Sequence, residues 1–198
     1  VLQDGEYRLA SNKIEIMNDD EFNPNSLEPY IKQKHKGWSP FLNVYNWSNG
    51  QGKAWDKIVK NIGVEPVVYD SDMVDASIEN MMDRLTYLGY YGSEIESVIN
   101  VKKKNVTVAY NITLGKRFPI KDIEIILPSE GTFADDFLAD TSAMTVKVGD
   151  FLSEDILENE TVRASASLRN MGYYEFSKNN FFFEADTLSC PDSAILKM

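Results

Sequence analysis

The chain is poor in the residues that build reactive centres, with one cysteine and one histidine among its 198 residues. Cys190 excludes an internal disulfide, and it has no cysteine or histidine neighbour that could complete a metal site. His35 lies in the lysine-rich segment 32–36, which offers no partner for general-base chemistry. We therefore expect no catalytic residues, no metal site and no cofactor.

Positive charge and long apolar runs are also scarce. The chain carries 20 lysines and arginines against 31 acidic residues, for a net charge of −11. Nucleic acids require a basic footprint, so no nucleic-acid partner is expected. No run of about 18 apolar residues is present, so no segment is expected to span a bilayer as a helix. The apolar fraction of 43% is nevertheless sufficient for a packed core.

A seven-residue motif occurs twice in the chain, 83 positions apart, at residues 85–91 and 168–174. Each copy ends an amphipathic helical pattern at a glycine, Gly89 or Gly172, which is the residue that favours a left-handed helix stop. A strand pattern that is rich in aromatic residues follows each glycine. The duplication predicts two tandem modules with the same plan.

Each module is predicted to consist of a strand, a short helix, a long helix and a hairpin. In the first module the predicted elements are residues 7–17, 27–34, 71–88, 93–101 and 106–113. In the second they are 118–127, 133–139, 154–171, 173–186 and a last strand from residue 194. The predicted fold class is α+β, with two tandem β-α-α-β-β modules, each a three-stranded mixed sheet with two helices on one face. We expect the boundaries 1–116 and 117–198, and a second module that is truncated at its C-terminus.

The two long helices are predicted to bury equivalent stripes of side chains. The first stripe consists of Val74, Ile78, Met81, Leu85 and Leu88, and the second of Leu157, Thr161, Ala164, Leu168 and Met171. Thr161 replaces Ile78, so the second module is expected to be the less stable of the two. The acidic residues of the second module, including Asp135, Asp136 and Asp140, are interpreted as a solvated face or as charge at a helix N-terminus.

Residues 36–65 have no counterpart in the second module and contain all three tryptophans. The aromatic residues Trp38, Tyr45 and Trp47 could form a surface that docks a partner, because exposed aromatic side chains favour interfaces. They could equally form an additional small core packed on the first module.

Several segments carry a resemblance to a known family: residues 30–34, 66–70, 176–178 and 183–187, together with the two Gly-Tyr-Tyr sites. Their order and spacing resemble POTRA (polypeptide-transport-associated) domains. The resemblance is to outer-membrane protein assembly factors of the BamA/TamA family, in the form found in Bacteroidetes-type bacteria. It covers most of the chain, although residues 36–65 are atypical of a minimal POTRA domain.

The resemblance implies a non-enzymatic region on the periplasmic face of the outer membrane of a Gram-negative bacterium. The implied partners are unfolded outer-membrane proteins, partners in the assembly machinery, or both. In this family the same chain also carries a C-terminal β-barrel, which this sequence does not contain. The implied mode of binding is β-augmentation, in which a client strand pairs with an exposed sheet edge.

In such domains the strand after the long helix lies at the edge of the sheet. The candidate client-binding residues are therefore Ser93, Glu94, Ile95, Glu96, Ser97, Val98 and Ile99, and in the second module Tyr174, Glu175, Phe176, Phe181, Phe182 and Phe183. These strands could instead be ordinary edges blunted by charge, at Glu94, Glu96 and Lys178. Two other functions stay open: a spacer or docking arm of a protein-secretion or translocation barrel, and a carbohydrate-binding or hydrolytic domain that uses the tryptophans and acidic residues.

Overall fold

A computed structural model describes residues 5–35, 67–128, 131–187 and 190–198. The chain divides into two compact units, the first of Val1–Arg84 with Glu94–Leu114 and the second of Leu85–Ser93 with Gly115–Met198. Each unit contains a three-stranded mixed sheet, so the predicted α+β fold class is confirmed. The aromatic segment with Trp38, Tyr45 and Trp47 lies outside the described residues.

The sheet of the first unit contains β1 (Arg8–Ile16), β2 (Glu94–Lys102) and β3 (Asn105–Thr113). The strand order is β1-β3-β2, with β1 parallel and β2 antiparallel to the central strand β3. Alternate residues of β3 are buried: Val106, Val108, Tyr110 and Ile112. This period of two places one face of the sheet in the core of the unit.

The long helix α1 (Ser71–Tyr87) begins after Asp70, whose carboxylate accepts the backbone N–H of Asp72 at 3.0 Å. Its buried stripe includes Val74, Met81 and Leu85, as predicted, but the residue between them is Ser77. Ile78, which was predicted for that place, is only half-buried. The Ser77 hydroxyl accepts the N–H of Lys32 at 3.0 Å and donates to the carbonyl of Met73.

The short helix of the first unit is a 3-10 helix, Pro24–Tyr30, and not the α-helix that was predicted over residues 27–34. Pro24 suits its first turn, and Asn23 caps it by accepting the N–H of Asn25 at 3.1 Å. Ile31 follows with the extended angles φ −70° and ψ 119°, so the helical turns end at Tyr30 and do not continue to residue 34. Leu27 is the fully buried residue of this helix.

The second unit repeats the same topology. Its sheet contains β4 (Ile120–Glu124), β5 (Glu184–Asp186) and β6 (Ala194–Lys197). The order is β4-β6-β5, with β4 parallel and β5 antiparallel to the central strand β6. The core of this unit includes Ile120, Val146, Leu152, Ala194 and Leu196.

Two α-helices belong to the second unit, α2 (Thr132–Asp140) and α3 (Glu154–Asn170). Ser153 caps α3 by accepting the N–H of Ile156 at 3.4 Å. Ala164 and Leu168 are buried as predicted, but Met171 is 47% exposed because it lies at the C-cap, beyond the last helical turn. Gly172 then adopts a φ of 110°, and Gly89 after α1 adopts 86°. The predicted left-handed stops are thereby confirmed.

The predicted strand over residues 173–186 is wrong for most of its length, since only Glu184–Asp186 form a strand. The residues before it turn twice. The N–H of Phe176 reaches the carbonyl of Tyr173 at 3.0 Å, and a 3-10 helix follows at Lys178–Asn180. Ser177 and Asn180 cap that helix reciprocally, with the N–H of Ser177 donating to the side-chain Oδ1 of Asn180 at 2.9 Å. These local hydrogen bonds replace the strand pairing that alternating phenylalanines had suggested.

Candidate functional site

The strongest candidate for a binding surface is the outer edge of β2. All nine residues of β2 pair with β3 in an uninterrupted antiparallel register, from Glu94 opposite Thr113 to Lys102 opposite Asn105. The strand order places β2 at one end of the sheet, and no other strand in the described part of the chain pairs with it. A regular edge of this length can accept a further strand.

The register of the hairpin shows which backbone groups face away from β3. Lys103 and Lys104 form the two-residue loop between Lys102 and Asn105. In a two-residue hairpin the closing residues, here Lys102 and Asn105, form two hydrogen bonds with each other. Along the strands, hydrogen-bonded pairs alternate with pairs whose N–H and C=O groups point away from the partner strand. The residues whose N–H and C=O groups point outward are therefore Ile95, Ser97, Ile99 and Val101.

The same four residues carry their side chains on the core-facing side of the sheet. Each lies opposite a buried residue of β3, for example Ile99 opposite Val108 and Val101 opposite Val106. Ile99 is nevertheless 44% exposed and Val101 55% exposed. On the other face Val98 is 42% exposed. The edge thus offers apolar side chains together with outward-directed backbone groups, the combination that an extended polypeptide requires.

Charge is unevenly distributed along this edge. Glu94 and Glu96 are exposed at its first end, whereas Lys102 and the loop lysines Lys103 and Lys104 are exposed at the other. Lys103 has a φ of 57°, the only positive φ of a non-glycine residue in the described ranges. Charged residues on an edge strand discourage unspecific pairing with other strands.

The opposite edge of the sheet, at β1, is already occupied over its first residues. The N–H of Leu9 donates to the carbonyl of Val67 at 2.8 Å, and the N–H of Tyr69 donates to the carbonyl of Tyr7 at 2.7 Å. The register with β3 also shifts between Leu9 and Ser11. This irregularity bends the strand and makes β1 a poorer template than β2.

The predicted site residues are distributed unevenly between strand and loop. Glu94, Ile95, Glu96, Ser97, Val98 and Ile99 all lie in β2. Ser93 precedes the strand and is 5% exposed, because its hydroxyl donates to the carbonyl of Tyr90 and accepts the N–H of Gly115, both at 3.0 Å. The site residues predicted from the sequence end at Ile99 and omit Val101, although the alternation of apolar residues continues to Val101.

The second-module candidates all lie outside β5. Tyr174 and Phe182 are 83% and 82% exposed in irregular segments. Phe176, Phe181 and Phe183 instead belong to a cluster of rings, in which the centroids of Phe176 and Phe181 are 5.4 Å apart and those of Phe181 and Phe183 are 6.1 Å apart. Phe176 and Phe181 also pack against Phe133 and Phe137 of α2.

The phenylalanine cluster borders a cavity of about 540 Å³. Phe133 and Phe137 of α2 contribute one side, with Phe133 5.6 Å from Phe176 between ring centroids. Tyr173 fixes the base of the cluster by donating its hydroxyl to Asp136 at 2.8 Å. The remaining lining is apolar at Ile125, Ile126, Leu127, Pro128, Phe182 and Met198, and polar at Asn180, Glu184 and Lys197.

A buried ionic network lies between α2 and α3. Arg163 donates to Glu160 at 2.6 Å and to Asp140 at 2.8 Å, and Ser167 donates to Asp140 at 2.7 Å. The N–H and hydroxyl of Thr145 both donate to Glu160 at 2.7 Å. The side chain of Glu160 is 1% exposed and that of Asp140 is 8% exposed, so the prediction that Asp140 belongs to a solvated face is wrong.

The network holds both carboxyl groups in the charged form. Burial alone would raise the pKa of Glu160, but the hydrogen bonds from Arg163 and Thr145 and the charge of Arg163 outweigh it and lower the pKa below its ordinary value. The hydrogen bond from Arg163 likewise lowers the pKa of Asp140 against its partial burial. Both carboxylates are thus bound to the guanidinium of Arg163, so neither is a free acid or base.

The chain belongs to the POTRA family. The family model described as "POTRA: Surface antigen variable number repeat" matches residues 12–115, which is more than half of the chain. The matched segment includes the second half of β1 and all of α1, β2 and β3. The predicted POTRA family is thereby confirmed, whereas the Bacteroidetes-type form stays a prediction. No curated protein matches the chain.

Among solved structures, the chain is similar to BamA from Haemophilus ducreyi lacking POTRA domains 1-3, with 12% identity and a TM-score of 0.47. That match covers 96% of this chain and 28% of the other, so the chain spans less than a third of that protein structure. It is also similar to BamA POTRA3-5 of Haemophilus influenzae, with 11% identity over 100% and 98% of the two chains and a TM-score of 0.36. POTRA1-2 of the periplasmic domain of Omp85 from Anabaena matches with 12% identity over 97% and 94%, and a TM-score of 0.36.

The helices of the described ranges fall short of what a bilayer span requires in length and apolar character.

Proposed function

We propose that this chain is a periplasmic region of an outer-membrane protein assembly factor, and that it binds polypeptides at the β2 edge. POTRA domains are periplasmic parts of outer-membrane factors, which supports the location. The proposed ligands are unfolded outer-membrane proteins or partners in the assembly machinery. The proposed modules are residues 1–116 and 117–198.

The observation that carries the proposal is the unpaired outer side of β2 in the described part of the chain. Ile95, Ser97, Ile99 and Val101 direct their backbone groups to that side. A client strand would form main-chain hydrogen bonds with these residues, and main-chain hydrogen bonds do not depend on the client sequence. This suits a factor that must accept many different polypeptides.

The side chains supply the second part of the binding energy. Ile99 and Val101 are about half exposed on the core-facing side of the sheet. A paired strand with apolar residues on the same face would extend the apolar layer and cover them, at about 25 cal/mol for each Å² removed from water. Strands with alternating apolar and polar residues satisfy this requirement, so they are the proposed client type.

Site-specific photo-cross-linking tests the proposal. A cysteine-attached cross-linker is placed at Val98 or Asn100 on β2 in a Cys190→Ser background, and an unfolded outer-membrane protein is added. Matched controls carry it at Glu79, an exposed residue of α1, and at Ala185, an exposed residue of β5. We expect several-fold stronger labelling of the client from the β2 positions.

Equal labelling from β2, α1 and β5 would contradict β-augmentation at this edge. An absence of labelling at all four positions would contradict client binding and would favour a spacer or docking arm.

A further inference from the structure

The residues of β2 show a self-complementary pattern when the strand is read in opposite directions. With Val98 as the centre, Glu94 corresponds to Lys102, Ile95 to Val101, Glu96 to Asn100 and Ser97 to Ile99. The outermost pair combines opposite charges, and the next pair combines two aliphatic side chains. Two copies of this strand in antiparallel register would therefore match in charge and in apolar character.

The backbone hydrogen-bonding groups of β2 also fit antiparallel pairing of two copies. A twofold axis through Val98 places Ile95 of one copy opposite Val101 of the other, and Ser97 opposite Ile99. These are the four residues whose N–H and C=O groups point away from β3, as the hairpin register requires. Each of the resulting pairs can exchange two hydrogen bonds, so no outward-directed group along the centre of the edge stays without a partner.

We propose that the β2 edge binds a second copy of this chain, strand to strand and antiparallel, so that two three-stranded sheets join into one of six strands. The interface is isologous, because the same patch serves both subunits. The proposal rests on the open edge that the proposed function also uses, and not on client binding itself. Self-pairing and client binding would exclude one another.

Charge complementarity favours a second copy as the occupant. A chain with a net charge of −11 is repelled by its own kind at long range, so association requires a local pattern that opposes this repulsion. The antiparallel register places Glu94 beside Lys102 twice in the dimer. β5 lacks this property, because its own antiparallel pairing would place Glu184 beside Asp186.

The expected dimer is weak and sensitive to salt. One strand pair covers far less surface than a stable interface needs, and exposed ion pairs contribute little and are screened by salt. A weak, reversible contact can cover the apolar edge while clients are absent and release it to them when they arrive.

Charge-reversal variants test the dimer by sedimentation over a concentration series at low ionic strength. Glu94→Lys alone and Lys102→Glu alone each place like charges opposite one another at two positions. We expect each to weaken self-association by about tenfold. An equimolar mixture of the two variants restores both attractive pairs in the heterodimer, and the double variant restores them in the homodimer.

Glu79→Lys provides the matched control, because it makes the same charge change at an exposed position of α1. It is expected to leave self-association within about twofold of the wild type. Both edge positions are exposed, and circular dichroism verifies that the variants fold.

A wild type that stays monomeric over the whole concentration series overturns the proposal. So does a mixture that associates no better than either variant alone. The outcome is separable from the cross-linking test: a monomer that still labels a client from Val98 contradicts only the dimer, and a dimer that labels no client contradicts only the proposed function.

Discussion

The two units share one topology, yet their exposed edges differ. The edge of the first unit is β2, with nine residues in unbroken register, whereas the corresponding edge of the second is β5, with three. The segment that would have lengthened β5 turns back at Ser177–Asn180 and packs its phenylalanines against α2. Two copies of one plan therefore expose edges of different length, because edge length depends on residues outside the repeated motif.

The helices show a second difference between the units. α1 buries Val74, Met81 and Leu85, whereas α3 buries Glu160 and Thr161 beside Ala164 and Leu168. Apart from Ser77, the buried residues of α1 are thus apolar, whereas α3 buries a charged residue that belongs to the ionic network. Changes at equivalent positions should have unequal effects.

The largest expected effect is at the paired glycines. A Cβ atom on Gly89 would lie 2.2 Å from the carbonyl oxygen of Leu152, whereas a Cβ atom on Gly172 would meet nothing within 4 Å. Both have positive φ, so both alanine variants are strained, but only Gly89→Ala also forces the backbone to move. We expect Gly89→Ala to cost about 4 kcal/mol and Gly172→Ala about 1 kcal/mol in urea unfolding. Equal losses would show that positive φ alone sets the cost.

The next largest loss of stability is expected for Arg163→Met, because this change leaves two buried carboxylates without their cation. We expect a loss of about 3 kcal/mol in the free energy of unfolding. Arg169→Met on the same helix is the matched control, because Arg169 is exposed and donates to one carbonyl, that of Phe176, at 2.9 Å. A similar loss for both variants would contradict the role of the network.

A pair of proline substitutions tests the direction of the backbone groups in β2. Asn100 donates its N–H to β3 in the deduced register, whereas Ile99 directs its N–H outward. Because proline has no N–H, we expect Asn100→Pro to be about 2 kcal/mol less stable than Ile99→Pro. If Ile99→Pro were the less stable variant, the residues whose N–H groups face outward would be those that alternate with Ile95, Ser97, Ile99 and Val101. The centre of the proposed client contact would then move.

The ionic network also predicts a dependence of stability on pH. The folded-state pKa of Glu160 lies below its ordinary value of 4.5 and that of Asp140 below 3.8. Groups with lowered pKa values stabilise the fold above those ordinary values and lose that contribution as pH falls through the folded-state values. We therefore expect Glu160→Gln to flatten the fall in stability with acid. Parallel wild-type and variant curves would contradict this assignment.

The smallest expected effect is at Thr161, which is 6% exposed and donates its hydroxyl to the carbonyl of Glu158 at 2.8 Å. This bond lies within one helix and contributes little. Thr161→Val keeps the shape and should raise the free energy of unfolding by about 0.5 kcal/mol. Thr161→Ser, which loses the methyl group, should lower it by about 0.8 kcal/mol. Thermal or urea unfolding compares the two; destabilisation by valine would show that the hydroxyl matters more than its local bond suggests.

The sequence predicted the long helices and the first hairpin closely. The prediction for α1 was 71–88 against the observed Ser71–Tyr87, and for α3 it was 154–171 against Glu154–Asn170. Both helices have a capping residue before them and a glycine after them, which are local signals. The β2–β3 hairpin was predicted because strict alternation of apolar and polar residues is also local.

The failures lie where tertiary contacts decide the conformation. Residues 173–183 alternate like a strand, but their rings pack against Phe133 and Phe137, which lie about forty residues earlier in the chain. The role of Asp140 depends on Arg163, which is on another helix. The outward-facing residues of β2 could be assigned only after the pairing with β3 was known.

The cavity beside the phenylalanine cluster has a consequence for how unfolding of this protein is followed. Dyes such as anilinonaphthalene sulfonate fluoresce in apolar sites, and their fluorescence is commonly taken as a sign of a loosened, molten state. A native protein with an aromatic-lined cavity of about 540 Å³ should already bind such a dye. We therefore expect dye fluorescence to start high in the folded state, so that thermal shift assays need a label-free signal.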